Sequence, residues 1–513
     1  TCVRKAFDLA KTHYNLDLTL ADVPQDDPKV YEMISNADTI GVFQIESRAQ
    51  MSMLPRLRPK EFYDRVVEVA IGRPGPIQGD MVHPYLLRRQ DPSLIEYPSE
   101  ELKEILKRTN GVPLFQEQAM EIAIVAAGFT PAEADELRRS MATFKSHGKV
   151  SLFRQKLVDG MVKNKYDKEF ALRVFKQIEG FGSYGFPESH AASFALLVYI
   201  SSWIKCHYPD VFAAAILNSL PMGFYQPAQL VIDARKHGVT VRPVDINHSY
   251  WDHVLEEQAS QYKALRLGFR QVNGLTLQDM EHLVSQRKKP YRNITELLDA
   301  GISIECLEKL ADADAFRSIE LDRRQALWEI AALGDSPKAL FTGQLSESKL
   351  EPQISLPLMQ TSEHVIQDYA STTLSLKAHP LSFVRQQLDL LHVSPTKDLD
   401  LIPNGGQVKV AGIILIRQQP GTAKGVCFVT IEDETGFSNV IVWENLFQKY
   451  RKEVLTARLL MVEGKLQREG QVVHIVARRC FDLTKLLHQL KRKGYGEDTY
   501  SPKEVFHKGR NFK

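Results

Sequence analysis

The alternation of apolar and polar positions divides the chain into a long helical part and a shorter part rich in strands. From Thr1 to about Pro243, apolar residues recur at helical spacing between loops, as in the run Lys168–Ile178. From Val408 to Val476 the pattern changes to short apolar runs separated by turns. We therefore predict a multidomain protein in which mostly α-helical regions precede a small all-β barrel.

A glycine-rich loop leads into a long apolar helix pattern between Gly180 and Ala195. Its glycines allow tight or left-handed turns, and Ser189 is suited to cap the helix that follows. Because unpaired N–H groups at a helix start attract phosphate, we expect Tyr184, Ser189 and His190 to line a phosphate seat. The loop also has the G-x-G-x-x-G spelling of a dinucleotide fold, but that fold needs a preceding strand where this chain has a helix pattern.

Four arginines of the helical part stand where rigid neighbours could hold a phosphate-binding side chain: Arg48, Arg73, Arg138 and Arg139. The alternative for each is a surface arginine or a member of an ion pair, and spacing alone does not show that the four converge. Their occurrence in one region with the glycine loop favours phosphate binding.

The stretch Leu267–Leu283 has a short apolar lead, an Asn-Gly turn and an amphipathic helix, which is typical of a helix–hairpin–helix element. Such an element presents backbone N–H groups to a DNA phosphate, so Asn273 and Gly274 are candidate DNA contacts. A second, looser copy is predicted at Ile304–Phe316. The alternative is a plain helical hairpin.

A Ser/Pro/Gln-rich linker is predicted from Gly334 to about Gln367, followed by a short amphipathic helix at Leu381–Leu391. Five short strands come next, with a helix pattern between Trp443 and Leu455. This order predicts an OB-fold barrel, a common platform for single-stranded nucleic acid. Lys424 and Arg468 are its candidate DNA contacts, and a purely structural OB domain is the alternative.

Composition narrows the function little, since the 513 residues are 43% hydrophobic and carry a net charge of only +2. The five cysteines show no C-x-x-C pairing, which argues against a zinc site or a disulfide framework and fits the reducing cytoplasm. No apolar run is long enough to span a bilayer. The segment Lys491–Lys513 is rich in Lys and Arg, and is either a solvated end or a nucleic-acid contact.

A nucleotidyl-transfer site needs carboxylates that hold two metal ions about 3.5–4 Å apart, and the sequence indicates no such pair. Asp312 and Asp314 have a suitable spacing but end a helical hairpin with no strand to fix them, and Asp398 and Asp400 lie in a loop. We therefore assign no catalytic residue and no metal site to this chain.

Several segments together resemble the fingers domain of bacterial C-family DNA polymerases, the polymerase III alpha-subunit class. They are Phe43–Arg48, Arg73–Pro76, Phe115–Gln118, Leu137–Arg139 and Tyr184–His190. The resemblance covers nearly the whole chain, because that family continues with tandem helix–hairpin–helix elements and an OB domain. It implies fingers at 1–243, the helix–hairpin–helix region at 244–333, a linker with short helices at 334–400, the OB domain at 401–485 and a basic tail at 486–513.

Pro187 and Glu188 depart from the replicative form of the family, which usually carries Asn-Lys there. With Asn218–Gln229 and Arg242–Asn247, this departure resembles the error-prone, damage-induced branch. The resemblance implies translesion synthesis, with DNA, deoxynucleoside triphosphates, and Y-family-like and RecA-like accessory proteins as partners. The alternative is a non-catalytic DNA-binding or scaffolding module.

By the same resemblance, the catalytic aspartates and their Mg²⁺ belong to a palm domain that would precede Thr1, as would a phosphoesterase-like domain. We therefore expect a fragment that binds DNA but does not extend a primer. We also expect no direct binding to the sliding clamp. Gln353–Pro357 lacks the last residue of the clamp motif, and the helix that carries Gln387–Leu391 is predicted to pack into a core.

Overall fold

The computed structural model describes residues 1–46, 48–71, 82–141, 150–180, 187–222, 225–334, 359–419, 425–469, 472–490 and 510–512. The chain forms two compact units, Thr1–Ala215 and Ile216–Lys513. Within the described ranges, no helix is both long enough and apolar enough to cross a membrane.

The described part of the first unit consists of helices and loops. The helices are α1 Cys2–Tyr14, α2 Pro28–Ser35, α3 Arg48–Leu57, α4 Phe62–Ile71, α5 Val82–Gln90, α6 Glu100–Leu106, α7 Gln116–Ala127, α8 Pro131–Met141, α9 Val150–Lys163, α10 Lys168–Gly180 and α11 Glu188–His207, and α12 Pro209–Leu217 crosses the boundary between the units. The helix predicted over Lys168–Ile178 is confirmed as α10, so a helix and not a strand precedes the glycine loop.

The 20-residue helix α11 lies in the core of the first unit. Its buried residues include Ala191, Ala195 and Val198, and it packs against α4, where eight of the ten residues are buried. Burial of apolar surface stabilises the unit by about 25 cal/mol per Å². The start of α11 is therefore held in place by a well-packed helix pair.

The second unit opens with helices and a small sheet. Its helices before the barrel are α13 Pro227–Lys236, α14 Leu277–Gln286, α15 Ile294–Asp299, α16 Ile304–Asp312, α17 Arg323–Gly334, α18 Thr361–Thr372 and α19 Arg385–Leu390, and its sheet comprises β1 Val241–Arg242, β2 Val254–Glu256 and β3 Ala264–Arg266. The strand order is β1-β3-β2, with β1 parallel and β2 antiparallel to β3.

Two glycine hairpins precede α14 and α16. Gly274 has φ +83° and Gly301 has φ +87°, a left-handed conformation that glycine adopts without strain. Thr276 and Ser303 then cap the two helices by accepting hydrogen bonds from Asp279 N and Cys306 N. Both predicted copies thus have a glycine turn, a capping residue and a helix in the same order, and the second copy includes α15 and so begins before the predicted Ile304.

The predicted linker is too long at its C-terminal end, because α18 already begins at Thr361. The Glu363 side chain accepts a hydrogen bond from the backbone N–H of Gln360 at 2.9 Å, which stabilises this helix start. Asp368 on α18 also pairs with the buried Arg323 of α17 at 2.5 Å. Long-range contacts of this kind leave no signal in local composition.

The helix predicted at Leu381–Leu391 is split into a 3-10 turn, Pro380–Phe383, and the short helix α19. Only part of it packs into a core, because Leu388 is fully buried whereas Leu390 is 81% exposed. The prediction that Gln387–Leu391 packs into a core is therefore wrong for Leu390.

The OB barrel comprises β4 Gln407–Gln418, β5 Cys427–Glu432, β6 Phe437–Val442, α20 Glu444–Lys449, α21 Arg451–Thr456, β7 Leu459–Glu469 and β8 Val472–Asp482. The order β5-β6-β8-β7-β4 closes because β4 also pairs with β5. Its interior is filled by side chains that include Val410, Val429, Val440, Val462 and Ile475. The predicted OB fold with a helical insertion is confirmed.

A second core lies outside the barrel. Ile413 and Leu459 of the barrel pack there with Ile366, Leu388 and Leu487 of the surrounding helical segments. A last strand, β9 Arg510–Phe512, pairs in parallel with β4. The backbone of these three residues of the predicted basic tail is therefore paired with the barrel.

Candidate nucleotide and DNA interfaces

Helix α11 starts two residues earlier than predicted. Pro187, with φ −69° and ψ 138°, is the N-cap, and Glu188 is the first helical residue. Proline fixes φ near the value required at this position and has no N–H to leave unpaired. Ser189 therefore lies in the first turn, where its carbonyl accepts a hydrogen bond from Ser193 Oγ at 2.9 Å, and its predicted role as N-cap is wrong.

A carboxylate of the chain lies at the start of α11. Glu117 Oε2, on α7, accepts a hydrogen bond from the backbone N–H of Glu188 at 3.0 Å. The partial positive charge of a helix N-terminus stabilises this contact. One N–H group of the predicted phosphate seat is therefore already paired with an anion.

The Glu188 side chain joins a cluster of polar groups from α4 and from the turn Lys107–Thr109. Tyr63 Oη donates to Glu188 Oε1 at 2.9 Å, and Arg108 Nη1 lies 3.4 Å from the same oxygen. The Arg108 guanidinium also lies over the Tyr63 ring, 3.7 Å from its centre. Burial and the Glu188 carboxylate both raise the pKa of Tyr63, so its hydroxyl stays protonated and donates.

His190, two residues after Glu188, is exposed. Aromatic contacts link it to the segment Phe43–Arg48. Its ring lies edge-on to Phe194, with 4.3 Å between ring centres, and Phe194 stacks on Phe43 at 5.3 Å. Thr39 Oγ1 donates to Ile45 O at 2.8 Å and pins the loop that carries Phe43. Three aromatic rings thus connect the start of α11 to the loop before α3.

That loop leads to Arg48, the first residue of α3, whose side chain lies outside the described part of the chain. Arg73 and Tyr184 also lie outside the described residues. The structure therefore brings His190 to the segment that precedes Arg48, and the predicted convergence of these residues on a triphosphate stays a prediction.

Arg138 and Arg139 are adjacent on α8 and share one carboxylate. Arg138 Nη2 lies 2.8 Å from Asp135 Oδ1, and Arg139 Nη2 lies 2.7 Å from Asp135 Oδ2. The hydrogen bond from Arg138 lowers the pKa of Asp135 and keeps it ionised. The Arg139 side chain is 74% exposed, which leaves its guanidinium accessible to an anion in solution.

A buried pair of charged residues on α4 was not anticipated from the sequence. The Arg65 guanidinium lies over the rings of Tyr199, Tyr31 and Phe62, at 4.1, 4.9 and 5.2 Å from their centres. Glu68 is fully buried, its carboxylate makes no hydrogen bond to the described residues, and burial raises its pKa to about 8. Arg65 and Glu68 stand three positions apart among apolar residues, which is a helical spacing. This spacing does not indicate that their side chains are buried.

The segment Phe115–Gln118 combines a structural residue with a site residue. Gln118 is buried, and its Oε1 accepts hydrogen bonds from Leu114 N at 2.8 Å and Phe115 N at 3.2 Å. Its neighbour Glu117 is exposed and reaches α11. This segment is one of those that resemble the polymerase fingers, but its sequence does not indicate that Glu117 lies at the start of α11.

In the second unit, the candidate contacts of the first hairpin are engaged within the chain. Asn273 N donates to Ser371 O at 2.7 Å, and its Nδ2 donates to Ala370 O at 2.8 Å. Lys309 Nζ donates to Gly274 O at 2.9 Å. These bonds position the hairpin and use the Asn273 side chain in doing so.

On the OB barrel, Arg468 is also engaged. Its Nη1 lies 3.2 Å from Asp400 Oδ1, and its Nη2 donates to Leu399 O at 3.1 Å. The side chain is 29% exposed. Lys424 lies outside the described residues, between β4 and β5 in the sequence.

Comparison with known protein families supports this organisation. Residues 1–165 match the family described as bacterial DNA polymerase III alpha subunit finger domain. Residues 238–326 match the helix-hairpin-helix motif, and residues 408–483 match the OB-fold nucleic acid binding domain. The modules occur in the predicted order.

Relatives with curated names match over nearly all of this chain. The error-prone DNA polymerase 1 of Rhizobium meliloti is 55% identical over 520 residues, which cover 96% of this chain and 47% of the relative. The error-prone DNA polymerase of Brucella abortus is 52% identical over 529 residues, which cover 100% of this chain and 49% of the relative. That of Mesorhizobium japonicum is 54% identical over 535 residues, with 98% and 48% covered.

The chain thus spans about half the length of the curated relatives it matches. The predicted domain boundaries at 243, 333, 400 and 485 stay predictions. On these matches, the chain belongs to the bacterial C-family DNA polymerases, the class of the DNA polymerase III alpha subunit, in the branch whose members are named error-prone DNA polymerase.

Proposed function

We propose that this chain is the nucleotide- and DNA-binding part of an error-prone, DNA-directed DNA polymerase that acts in damage-induced mutagenesis and translesion synthesis. One observation carries the proposal. A match to the polymerase finger domain, a helix–hairpin–helix match and an OB-fold match follow one another on a chain whose relatives are named error-prone DNA polymerase.

In this proposal the first unit holds the triphosphate of the incoming nucleotide. His190, Ser189 and Tyr184 lie at or before the start of α11, and Arg48, Arg73, Arg138 and Arg139 supply the positive charge. Because Glu117 pairs with the Glu188 N–H, the helix N-terminus contributes less to phosphate binding than a free terminus would. The arginines and His190 therefore provide most of the binding.

The second unit holds DNA. Its glycine hairpins at Gly274 and Gly301 suit contacts to the phosphate backbone, and the OB barrel suits a single strand. Asn273 positions the first hairpin, Lys424 contacts the strand, and Arg468 steadies the loop that includes Asp400.

DNA polymerases generally use Mg²⁺. We assign no Mg²⁺ ligand to the residues of this chain, and the ion serves the complete polymerase. The accessory partners are a Y-family-like and a RecA-like protein, and direct sliding-clamp binding is not part of the proposal. Because the substrate is chromosomal DNA, the protein acts in the bacterial cytoplasm.

The test is nucleotide affinity in the complete polymerase that contains this chain. Arg73→Ala, Arg138→Ala and His190→Ala are each expected to raise KM for deoxynucleoside triphosphates by about tenfold, as expected for loss of one charged contact. Arg154→Ala, an exposed arginine on α9, is the control and should leave KM unchanged. Unchanged KM in all three variants contradicts the assignment of the pocket.

A further inference from the structure

The C-terminal end of α18 is closed by residues that lead into the first hairpin. An α-helix leaves its last four carbonyl groups without a partner inside the helix, and in α18 these belong to residues 369–372. Tyr369 O accepts a hydrogen bond from Thr373 N at 3.1 Å, directly after the helix. The other three carbonyls accept hydrogen bonds from Gln271 and Asn273, about 100 positions earlier in the chain.

These three hydrogen bonds use both side chains and one backbone group. Gln271 Nε2 donates to Thr372 O at 2.6 Å. Asn273 N donates to Ser371 O at 2.7 Å, and Asn273 Nδ2 donates to Ala370 O at 2.8 Å. The carbonyl end of a helix carries a partial negative charge, which strengthens its contacts with N–H donors. The first hairpin is therefore attached to the end of α18 through all the carbonyls that remain there.

The same two turns of α18 pack against the OB barrel. Ile366, Tyr369 and Ala370 belong to the core outside the barrel, which includes Ile413 of β4 and Leu459 of β7. At 1.5 Å per residue, Ile366 lies about 9 Å along the helix axis from the last residue of α18. One short, rigid stretch of helix therefore contacts the first hairpin at its end and the barrel on its side.

Ion pairs hold α18 on a further side. Asp368 Oδ1 lies 2.5 Å from Arg323 Nη2 of α17, and Asp368 Oδ2 lies 3.0 Å from Lys377 Nζ. The same ammonium group lies 3.2 Å from Asp314 Oδ2, in the loop after α16. Arg323 and Asp368 are both buried, so separation of this pair would leave an uncompensated charge. The position of α18 is therefore fixed by the helical-hairpin region as well as by the barrel.

We propose that Gln271 and Asn273 are positioning residues for DNA: through the end of α18 they hold the first hairpin at a fixed place relative to the OB barrel. A junction of duplex and single-stranded DNA then binds as one ligand, with the duplex on the hairpin and the single strand on the barrel. Two sites on one rigid frame bind such a ligand more tightly than either part, because the second contact is intramolecular. The contacts with DNA rest on the proposed function, whereas the attachment of the hairpin to α18 does not.

Gln271→Met tests the attachment without a change of charge. Methionine is about as long as glutamine, but it has no N–H group for Thr372 O, and Gln271 is buried. The carbonyl is then left without its donor, which destabilises the attached arrangement. Gln286→Met is the matched control, because Gln286 is the exposed last residue of α14. Both variants are made in the full 513-residue chain.

The first measurement compares three DNAs by fluorescence anisotropy: a duplex of about 12 base pairs, an oligo-dT of about 12 nucleotides, and a junction in which that duplex carries the oligo-dT as an extension. The parent chain should bind the junction about 100-fold more tightly than either part. In Gln271→Met this advantage should fall about tenfold, while the affinities for the separate parts change less than about twofold. A residue that only stabilised the fold of the hairpin would lower the affinity for the duplex to the same extent.

The second measurement is hydrogen exchange of the Asn273 amide, which donates to Ser371 O. Its exchange should become about tenfold faster in Gln271→Met and stay unchanged in Gln286→Met, because the exchange rate reports local opening of the attached hairpin. This measurement needs no DNA, and it also shows whether the rest of the variant chain is folded.

Unchanged exchange of the Asn273 amide in Gln271→Met overturns the attachment. A parent chain that binds both parts without an advantage for the junction overturns the positioning role, as does an advantage that Gln271→Met retains. An equal loss of affinity for the duplex and for the junction also overturns it. If the parent chain binds neither the duplex nor oligo-dT, the proposed function of the second unit fails, while the exchange measurement still decides whether Gln271 attaches the hairpin to α18.

Discussion

The carboxylate of Glu117 and the backbone N–H of Glu188 are joined by a 3.0 Å hydrogen bond that places an acidic side chain at the N-terminus of α11. A phosphate group would use the same N–H donors. The Glu188 side chain is held in turn by Tyr63 and Arg108. The start of α11 is therefore fixed in position, and its partial positive charge is partly neutralised.

The Glu117→Gln variant tests this relationship. Glutamine keeps an acceptor for the Glu188 N–H but removes the negative charge. Affinity of the complete polymerase for deoxynucleoside triphosphates should rise about fivefold, which corresponds to about 1 kcal/mol of relieved repulsion at a solvent-exposed site. Glu121→Gln, an exposed residue one turn further along α7, is the control. Equal effects in the two variants, or weaker binding by Glu117→Gln, would disagree with this account.

Tyr63→Phe tests the attachment of Glu188. The change removes the hydroxyl that donates to Glu188 at 2.9 Å and retains the ring beneath Arg108. The free energy of unfolding should fall by about 1–2 kcal/mol, the usual contribution of a hydrogen bond to a charged acceptor. Urea denaturation measures it, and Tyr97→Phe provides a partly exposed control. A loss no larger than in the control would argue against a stabilising role.

Glu68→Gln should change the pH dependence of stability. Burial raises the pKa of Glu68 to about 8 in the folded state, above its ordinary value of 4.5. The folded chain therefore holds a proton that the unfolded chain releases, and stability falls as pH rises from about 4.5 to about 8. The variant cannot titrate, so relative to the parent it should gain up to about 4 kcal/mol between pH 5 and pH 8.5.

Glu61→Gln, an exposed residue just before α4, is the control for this measurement. Thermal or urea unfolding at the two pH values supplies the comparison. An identical difference between Glu68→Gln and the parent at both pH values would show that Glu68 does not titrate as described.

His253 should make the second unit sensitive to acid. The ring is fully buried, its Nδ1 accepts a hydrogen bond from Gly268 N at 3.0 Å, and burial lowers its pKa to about 3. Stability is present in full above the ordinary value of 6.5 and is lost as pH falls toward 3, by at most about 1.4 kcal/mol per pH unit. His253→Asn keeps an acceptor that does not titrate, so its unfolding free energy should depend less on pH between 6.5 and 4.

The exposed His392 offers a matched control, since His392→Asn should leave the pH dependence unchanged. A His253→Asn variant that keeps the parental slope would place the acid sensitivity elsewhere.

Substitutions of Arg468 and Lys424 should have different effects: the first should reduce stability and the second should weaken DNA binding. Arg468 is tied to Asp400 and Leu399, so Arg468→Ala is expected to cost about 1 kcal/mol of stability and to leave the salt dependence of oligo-dT binding unchanged. Lys424→Ala should instead reduce the slope of log K against log salt by about 1. Fluorescence anisotropy at several salt concentrations measures the oligo-dT affinity of both variants. A shallower salt slope for Arg468→Ala, with an unchanged slope for Lys424→Ala, would assign Arg468 to the DNA interface.

Local patterns predicted the elements that local forces determine. The helical spacing in Lys168–Ile178 predicted α10, the Asn273–Gly274 turn predicted the first hairpin, and alternation predicted the barrel strands. The error at Ser189 is a shift of two residues, because the observed N-cap is Pro187. Helix boundaries depend on such small differences in capping energy.

The candidate site was less predictable. Residue types and spacing identified His190 and the arginines, but Glu117 and Glu188 are 71 positions apart and share no periodic signal. Arg468 and Asn273 carry the right chemistry for DNA, yet the folded chain uses them in its own hydrogen bonds. A basic or amide side chain does not reveal from sequence whether its partner is DNA or the chain itself.

Periodicity, glycine placement and recognisable segments were thus enough to assign the helical fingers, the tandem hairpins, the OB barrel and the polymerase family. The folded structure was needed to show Glu117 at the start of α11, Glu68 buried on α4 and β9 on the edge of β4. The reason is that helix and strand periodicity arise from contacts within a few residues along the chain. Burial of a charge, pairing across helices and covering of a strand edge depend instead on segments that meet only when the chain folds.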